Sequence, residues 1–479
     1  MKTYYIITIG CQMNKSDSER IAGHLEKRGY KKSAEREKAG LVILVTCGVR
    51  QSAEDRIYGL VPKIKKENPK VKIILTGCLV NREDVKRRLN GYVDAWMPIN
   101  KIFNFQFSIF NQFTNFQFSN KKQKDKISCD KDDYLSIKPK YSSKFSAFVP
   151  IGNGCNNFCS YCVVPRARGR EVYRPAEDIL KEIKCLVKKD YKEIILIAQN
   201  VNSYKSEITN YPLRQSDSEA SKLQITNKSN PPAGGQNSKL KFINFSGLLK
   251  LINDIPGDFW IRFFTSHPKD MSDELIKAIA ASDKACRHIH LPVQAGDDEV
   301  LKKMNRNYTV SHYKSLIKKI RRGLPDVSIT TDVIVGFPGE TKAQFNNTVK
   351  LFKEVKFDMA YISRYSPRPG TAAEKLKDNV SKIEKKRREE ELMKILRKTA
   401  LENNKKYIGK IVDVLVEGRN KRGEWYGKTE TAKNVKLGIK NPPNSAGKQE
   451  LGIRTIIGEF VKVKINKVRG FGLEGEIVK

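Results

Sequence analysis

Six of the nine cysteines fall into two triplets, and their spacing is the part of this sequence able to do unusual chemistry. Cys155, Cys159 and Cys162 stand within eight residues as CxxxCxxC, in the run Gly154-Cys-Asn-Asn-Phe-Cys-Ser-Tyr-Cys. Cys11, Cys47 and Cys78 lie 36 and 31 residues apart, yet each follows an apolar run and a small residue. Thiolates are the usual ligands of iron-sulfur clusters. Three on a four-iron cubane leave one iron open, as a catalytic zinc keeps one position vacant. A zinc knuckle is the competing reading of the tight triplet, but zinc takes a fourth protein ligand and no further His or Cys stands near. The spread triplet could be three plain buried thiols; its repeated local context favours a second cluster.

The surrounding elements must bring those cysteines together. Tyr4 to Ile9, Leu41 to Val45 and Val71 to Leu75 read as strands, with helical segments at Ser16 to Lys27 and Ala53 to Lys66 between them. These are successive βα units, so residues 1–100 form a parallel α/β domain whose three cysteines meet at one sheet edge. Residues 101–140 carry a Phe/Gln/Asn repeat and a lysine run and read as a low-complexity linker; a Ser/Asn/Pro/Gly-rich insertion near 206–239 is expected to be disordered. Over 141–400 strands and helices alternate again, giving a partial (β/α) barrel. Pro175 opens a helix, Glu193 to Ala198 and Val333 to Val335 are strands, Ser272 is an N-cap, and Thr341 with Gln344 forms a capping box. A long charged helix, Ser381 to about Lys406, ends this region. Past it, over 401–479, short β-prone runs suggest a small antiparallel barrel of the kind that binds oligonucleotides.

Composition narrows the partners. The 479 residues hold 91 Lys plus Arg against 53 Asp plus Glu, a formal charge of +38. Such an excess favours a polyanion, nucleic acid ahead of membrane. No apolar run approaches a membrane span and the N-terminus runs straight into a strand, so a cytoplasmic protein is expected; separately, a monomer is the expected state. In that reducing setting nine cysteines argue for metal ligation rather than disulfides.

The tight triplet is the signature of radical S-adenosylmethionine (SAM) enzymes, and the resemblance covers nearly the whole chain outside the two insertions. Gly10-Cys-Gln-Met-Asn, Cys155 to Arg170, Gln199-Asn-Val-Asn, Thr265-Ser-His-Pro, Leu291-Pro-Val-Gln and Gly336-Phe-Pro-Gly-Glu-Thr together resemble the radical SAM methylthiotransferases that modify transfer RNA. The match is best to the bacterial branch that acts on isopentenyladenosine beside the anticodon. That family joins an N-terminal cluster domain, a radical SAM barrel and a C-terminal TRAM domain, the division read above.

The resemblance implies two 4Fe-4S clusters. Cys155, Cys159 and Cys162 would hold the one that reduces SAM; Cys11, Cys47 and Cys78 would hold an auxiliary cluster that presents sulfur. One SAM supplies the methyl group and a second the radical that takes hydrogen from carbon-2 of the adenine. That C–H has no useful acidity, so no catalytic residue is expected beyond the cluster ligands. For SAM, the resemblance implies Tyr161, which could equally be a core tyrosine, and the strand-end residues Gln199, Asn200, Ser266, Gln294 and Ile334, any of which could instead cap a turn. His267, His288 and His290 should satisfy local hydrogen bonds, and Cys129, Cys185 and Cys286 should be structural thiols. The expected partners are a tRNA anticodon stem-loop, an electron donor and a sulfur donor. Arg419, Lys421, Arg422, Trp425, Tyr426 and Lys428 interleave cations and aromatics as RNA-binding surfaces do, with a solvated hairpin as the competing account. Two sister activities stay open. Arg166-Ala167-Arg168-Gly169 departs from the Tyr-Thr-Arg-Gly usual in the isopentenyladenosine group and leans toward the threonylcarbamoyladenosine branch; a third branch modifies an aspartate of a small-subunit ribosomal protein.

Overall fold

The computed structural model describes residues 2–49, 51–102, 134–208, 241–438 and 456–478. The Phe/Gln/Asn repeat, Cys129 and nearly all of the 206–239 insertion lie outside them. The chain divides into two compact units. The first comprises Met1–Ser142, Gly152–Val172 and Ser366–Lys375, the second Ser143–Ile151, Tyr173–Tyr365 and Leu376–Lys479.

The first unit is built on strands β1 (Thr3–Thr8), β2 (Lys31–Lys32), β3 (Leu41–Thr46), β4 (Lys72–Gly77) and β5 (Ala95–Trp96), hydrogen-bonded in the order β2-β1-β3-β4-β5 and parallel throughout. Every residue of β3, Leu-Val-Ile-Leu-Val-Thr, is buried, as a central parallel strand covered on both faces requires. Alternate side chains go to opposite faces. Ile43 and Val45 pack with Ile21 and Leu25 of helix α1 (Gln12–Lys27), while Val42 and Leu44 pack with Ile57, Val61 and Ile64 of α2 (Gln51–Glu67). Each of these fully buried aliphatic chains contributes about 1.5–3 kcal/mol relative to exposure. The three strands read from sequence are all present; the two-residue edges β2 and β5 carried no period to read.

In the second unit β6 (Ser146–Pro150), β9 (Glu193–Ile197) and β12 (Trp260–Phe263) form one parallel sheet, and β13 (His288–His290), β14 (Ser328–Val335) and β15 (Met359–Arg364) another. A parallel bridge between Ile261 and Ala285 links the two, giving the partial barrel expected. Pro175 caps the helix Ala176–Val187, whose Ile179, Ile183 and Leu186 are buried. Ser272 accepts a hydrogen bond from the Leu275 amide, and both halves of the Thr341/Gln344 capping box are made.

After the helix Lys382–Lys405, strands β16 (Ile411–Arg419), β17 (Trp425–Thr429), β18 (Asn434–Gly438), β19 (Phe460–Arg469) and β20 (Gly472–Ile477) close a barrel in the order β16-β17-β18-β20-β19. It departs from the antiparallel expectation in one pair: β18 and β20 run parallel. Register shifts between Val416 and Gly418 and between Ile465 and Lys467 interrupt two of its strand pairings, and such bulges bend strands at barrel corners. Two buried cations fasten this barrel to the parallel sheets. Arg262 of β12 donates to the carbonyls of Thr429 and Glu430, and Lys433 Nζ stands 2.6 Å from Asp358.

Candidate active site

All six cysteines of the two triplets belong to the first unit. Cys11, Cys47 and Cys78 sit within three residues of the C-terminal ends of β1, β3 and β4, so one edge of the parallel sheet gathers them. The strand ends are locked in step: the Ile9 amide donates to Val45 O and the Cys78 amide to Thr46 O, both at 2.9 Å. Gly10 has φ +142°, and a Cβ there would come 2.7 Å from Cys47 Cβ, so only glycine lets the Cys11 turn approach its neighbour. Cys47 and Cys78 are buried; Cys11 reaches solvent.

The tight triplet follows the short strand β7 (Gly152–Asn153) and precedes helix α4 (Val164–Arg168). Gly154, at φ +81°, has no room for a side chain because Arg170 O would lie 2.0 Å from its Cβ. Backbone amides point at sulfur in both triplets. Val49 N lies 3.4 Å from Cys47 Sγ and Asn157 N 3.4 Å from Cys155 Sγ, the kind of donor that stabilises cluster-bound thiolates. Burial pushes the Cys162 thiol up to about 12, and the adjacent Cys159, Cys155 and Cys78 add to the shift. Such thiols ionise only beside strong positive charge, which bound iron supplies. Among the described residues no three His, Cys, Asp or Glu side chains are set around a single metal ion. Three thiols in each triplet, with a backbone amide on one sulfur of each, are the donor chemistry that a four-iron cluster takes.

Residues quoted from the sequence only as motif members, with no role given them, connect the triplets. Asn14 Nδ2 donates to Ile9 O and Thr46 O, at 2.9 and 3.0 Å, bridging the ends of β1 and β3. Its Oδ1 faces Cys11 Sγ at 3.7 Å and accepts from Arg168 Nη2 at 2.9 Å. Arg168, 2% exposed, also meets Asp17 at 2.6 Å and donates to Asn153 Oδ1 at 3.0 Å. Their sequence signal was membership of the motifs around Cys11 and Cys162, which shows neither the contact nor the role. Beside Cys78 opens a cavity of about 460 Å³, walled by Arg82, Asp84, Val163, Arg166 and Gly370 among others.

Tyr161 is half-buried in the turn between Cys159 and Cys162. The other proposed SAM residues belong to the second unit. Ala198 to Asn200 and Thr265 to Ser266 follow the adjacent strands β9 and β12, joined by Thr265 Oγ1 donating to Ala198 O at 2.6 Å. There Gln199 Oε1, Asn200 Oδ1 and Ser266 Oγ are buried without a protein partner, as oxygens awaiting a polar ligand would be. Gln294, at φ +69°, and Ile334 pair backbone to backbone at the end of β14, Ile334 N donating to Gln294 O at 2.9 Å. The histidines do what was expected of them. His267 Nδ1 accepts from Lys269 N, His288 Nε2 meets Thr330 Oγ1, and His290 bridges Thr330 and Asp332. Cys286 is buried and Cys185 exposed.

In the C-terminal barrel Lys421 and Arg422 are exposed at the β16–β17 turn, Tyr426 is half-buried, and Lys428 pairs with Glu417 at 2.7 Å. Trp425 is buried in the barrel core with the Arg419 guanidinium 4.3 Å over its ring, so that ring holds the hairpin rather than facing solvent.

Comparison with known proteins defines the class first. Residues 149–352 match the radical SAM superfamily, 3–97 the uncharacterized protein family UPF0004, and 405–478 the TRAM domain. The chain is 40% identical to a tRNA-2-methylthio-N(6)-dimethylallyladenosine synthase of Thermoanaerobacter pseudethanolicus, over 99% of this chain and 93% of that one. It is 39% identical to the synthase of Clostridium tetani, over 99% and 96%. A solved radical SAM methyltransferase from Kitasatospora setae superposes with a TM-score of 0.46 at 12% identity, covering 78% of this chain and 77% of that one. The chain belongs to the radical SAM methylthiotransferase family of these synthases. It is thus an enzyme that uses SAM with a 4Fe-4S cluster.

Proposed function

We propose that this enzyme methylthiolates carbon-2 of isopentenyladenosine beside the anticodon of transfer RNA. The observation that carries the reading is the gathering of two complete cysteine triplets in one compact unit, in a chain 40% identical along almost its whole length to relatives named for that product. Cys155, Cys159 and Cys162 would hold the cluster that opens SAM, and Cys11, Cys47 and Cys78 an auxiliary 4Fe-4S cluster. When bound, these groups and two SAM molecules supply the sulfur, the methyl group and the hydrogen-abstracting radical. The protein's work is to orient and to exclude water. Gln199, Asn200 and Ser266 offer the unpartnered oxygens on which SAM's ammonium and ribose hydroxyls can donate. Gln294 and Ile334, of the same unit, would complete that pocket. A volume of about 460 Å³ is in the range of small-ligand sites, and its arginines suit a base arriving with its phosphates. Exposed Lys421 and Arg422, with Tyr426, would meet the RNA backbone. The adenosine sits in a loop, where turning it out of the stack is cheap.

The test is nucleoside mass spectrometry on transfer RNA from a bacterial host lacking its own enzyme and expressing this chain. Methylthio-isopentenyladenosine is the expected product. Methylthio-threonylcarbamoyladenosine alone would transfer the assignment to that branch. Neither product, with both clusters loaded, would overturn the tRNA reading and direct assays to the ribosomal-protein aspartate.

A further inference from the structure

We propose that Arg168 is a positioning residue for the first cysteine triplet: its buried guanidinium fixes the Cys11 and Cys47 strand ends against the Cys155 loop and keeps positive charge beside the auxiliary cluster. The inference rests on the two-cluster reading above. Burying an arginine is costly unless its donors find partners, and here both terminal nitrogens do. Nη2 reaches Asn14 Oδ1 at 2.9 Å and Asp17 at 2.6 Å, and Nη1 reaches Asn153 Oδ1 at 3.0 Å. Through Asn14 the contact passes to Ile9 O and Thr46 O, the carbonyls just before Gly10-Cys11 and Cys47. The next residue, Gly169, accepts the Cys155 amide at 3.1 Å. One side chain therefore registers both triplets within a single rigid network.

Asn14 Oδ1, which accepts from Arg168 Nη2 at 2.9 Å, itself faces Cys11 Sγ at 3.7 Å, so the guanidinium stands one side chain away from the first triplet. Positive charge so placed favours the more reduced, more negative cluster and raises its potential. Lysine could keep the charge but lacks the planar fork that reaches Asn14, Asp17 and Asn153 together.

The experiment isolates the two effects. In a chain whose Cys155, Cys159 and Cys162 are all changed to alanine, an EPR-monitored redox titration reads the first cluster alone. Adding Arg168→Met should move its midpoint to more negative potential, and Arg168→Lys should return it toward the parent. In the otherwise intact enzyme both variants should lower methylthiolated product per SAM cleaved by about tenfold, the scale of losing an outer-shell partner. Should Arg168→Met lose the first cluster's iron while keeping the second's, positioning is supported and the lysine variant carries the potential measurement. An unchanged potential and an unchanged product ratio would overturn the proposal. A triple-alanine parent that binds no iron would instead refute the two-cluster reading on which it stands.

Discussion

A buried thiol is a poor ligand until a cation compensates the charge of its thiolate, and each triplet holds such thiols: burial raises Cys11 in one, and Cys155 and, to about 12, Cys162 in the other. Losing one cysteine should therefore cost its own triplet's cluster and no other. Cys155→Ala is expected to abolish SAM cleavage, whereas Cys47→Ala should still form 5'-deoxyadenosine and yet insert no sulfur. Chromatographic assay of deoxyadenosine beside nucleoside mass spectrometry separates them, and identical behaviour of the two variants would sink the division of labour. Asn14 tests the scaffold beneath. Asn14→Ala leaves Ile9 O and Thr46 O without their side-chain donor in a buried site, a loss of about 1–3 kcal/mol that a lower urea midpoint should report. The cysteines were legible because their identity and spacing alone imply ligation. Asn14 and Arg168 were not, since a hydrogen bond spanning 154 residues leaves no local trace.

Elements were legible where a local rule decides them. β1, β3 and β4 announce themselves as apolar runs, and the Thr341/Gln344 box is written in two residues three apart. Thr341→Ala should remove the bond that the Gln344 amide donates to the threonine hydroxyl, leaving the residue-341 amide still donating to Gln344 Oε1, and cost about 1 kcal/mol, the usual scale for an N-cap. A fall in thermal midpoint with unchanged SAM cleavage is the expected result; loss of cleavage would mean that this helix start, just after Gly336-Phe-Pro-Gly-Glu, serves the cofactor site directly. Non-local pairings escaped the same reading. The parallel β18–β20 closure depends on a strand more than thirty residues downstream rather than on a hairpin turn. Ser366–Lys375 joins the first unit through Arg368, which bonds Gln51 and Glu54 more than 300 positions away, and no periodicity marks that.

At the scale of the whole molecule, a charge of +38 reads as an affinity for polyanions, but at the C-terminal barrel several individual cations are tied to other tasks. Arg262 and Lys433 are buried fastening the C-terminal barrel, Lys428 is paired with Glu417, and Arg419 lies on Trp425. Lys421 and Arg422, exposed at the β16–β17 turn, are the members of the basic stretch left to meet phosphate. Each phosphate contact contributes a slope of about 0.7–0.9 to the fall of log K with log salt concentration, so Lys421→Ala with Arg422→Ala should flatten that dependence by about 1.5. Binding of an anticodon stem-loop measured across a salt series checks it. Lys428→Ala should change the slope far less, because its ammonium is already held by Glu417 and makes no phosphate contact to lose. Equal slopes for the double variant and the parent would move the phosphate contacts off this hairpin, whereas a full loss confined to Lys421 and Arg422 would make the turn the barrel's hold on RNA.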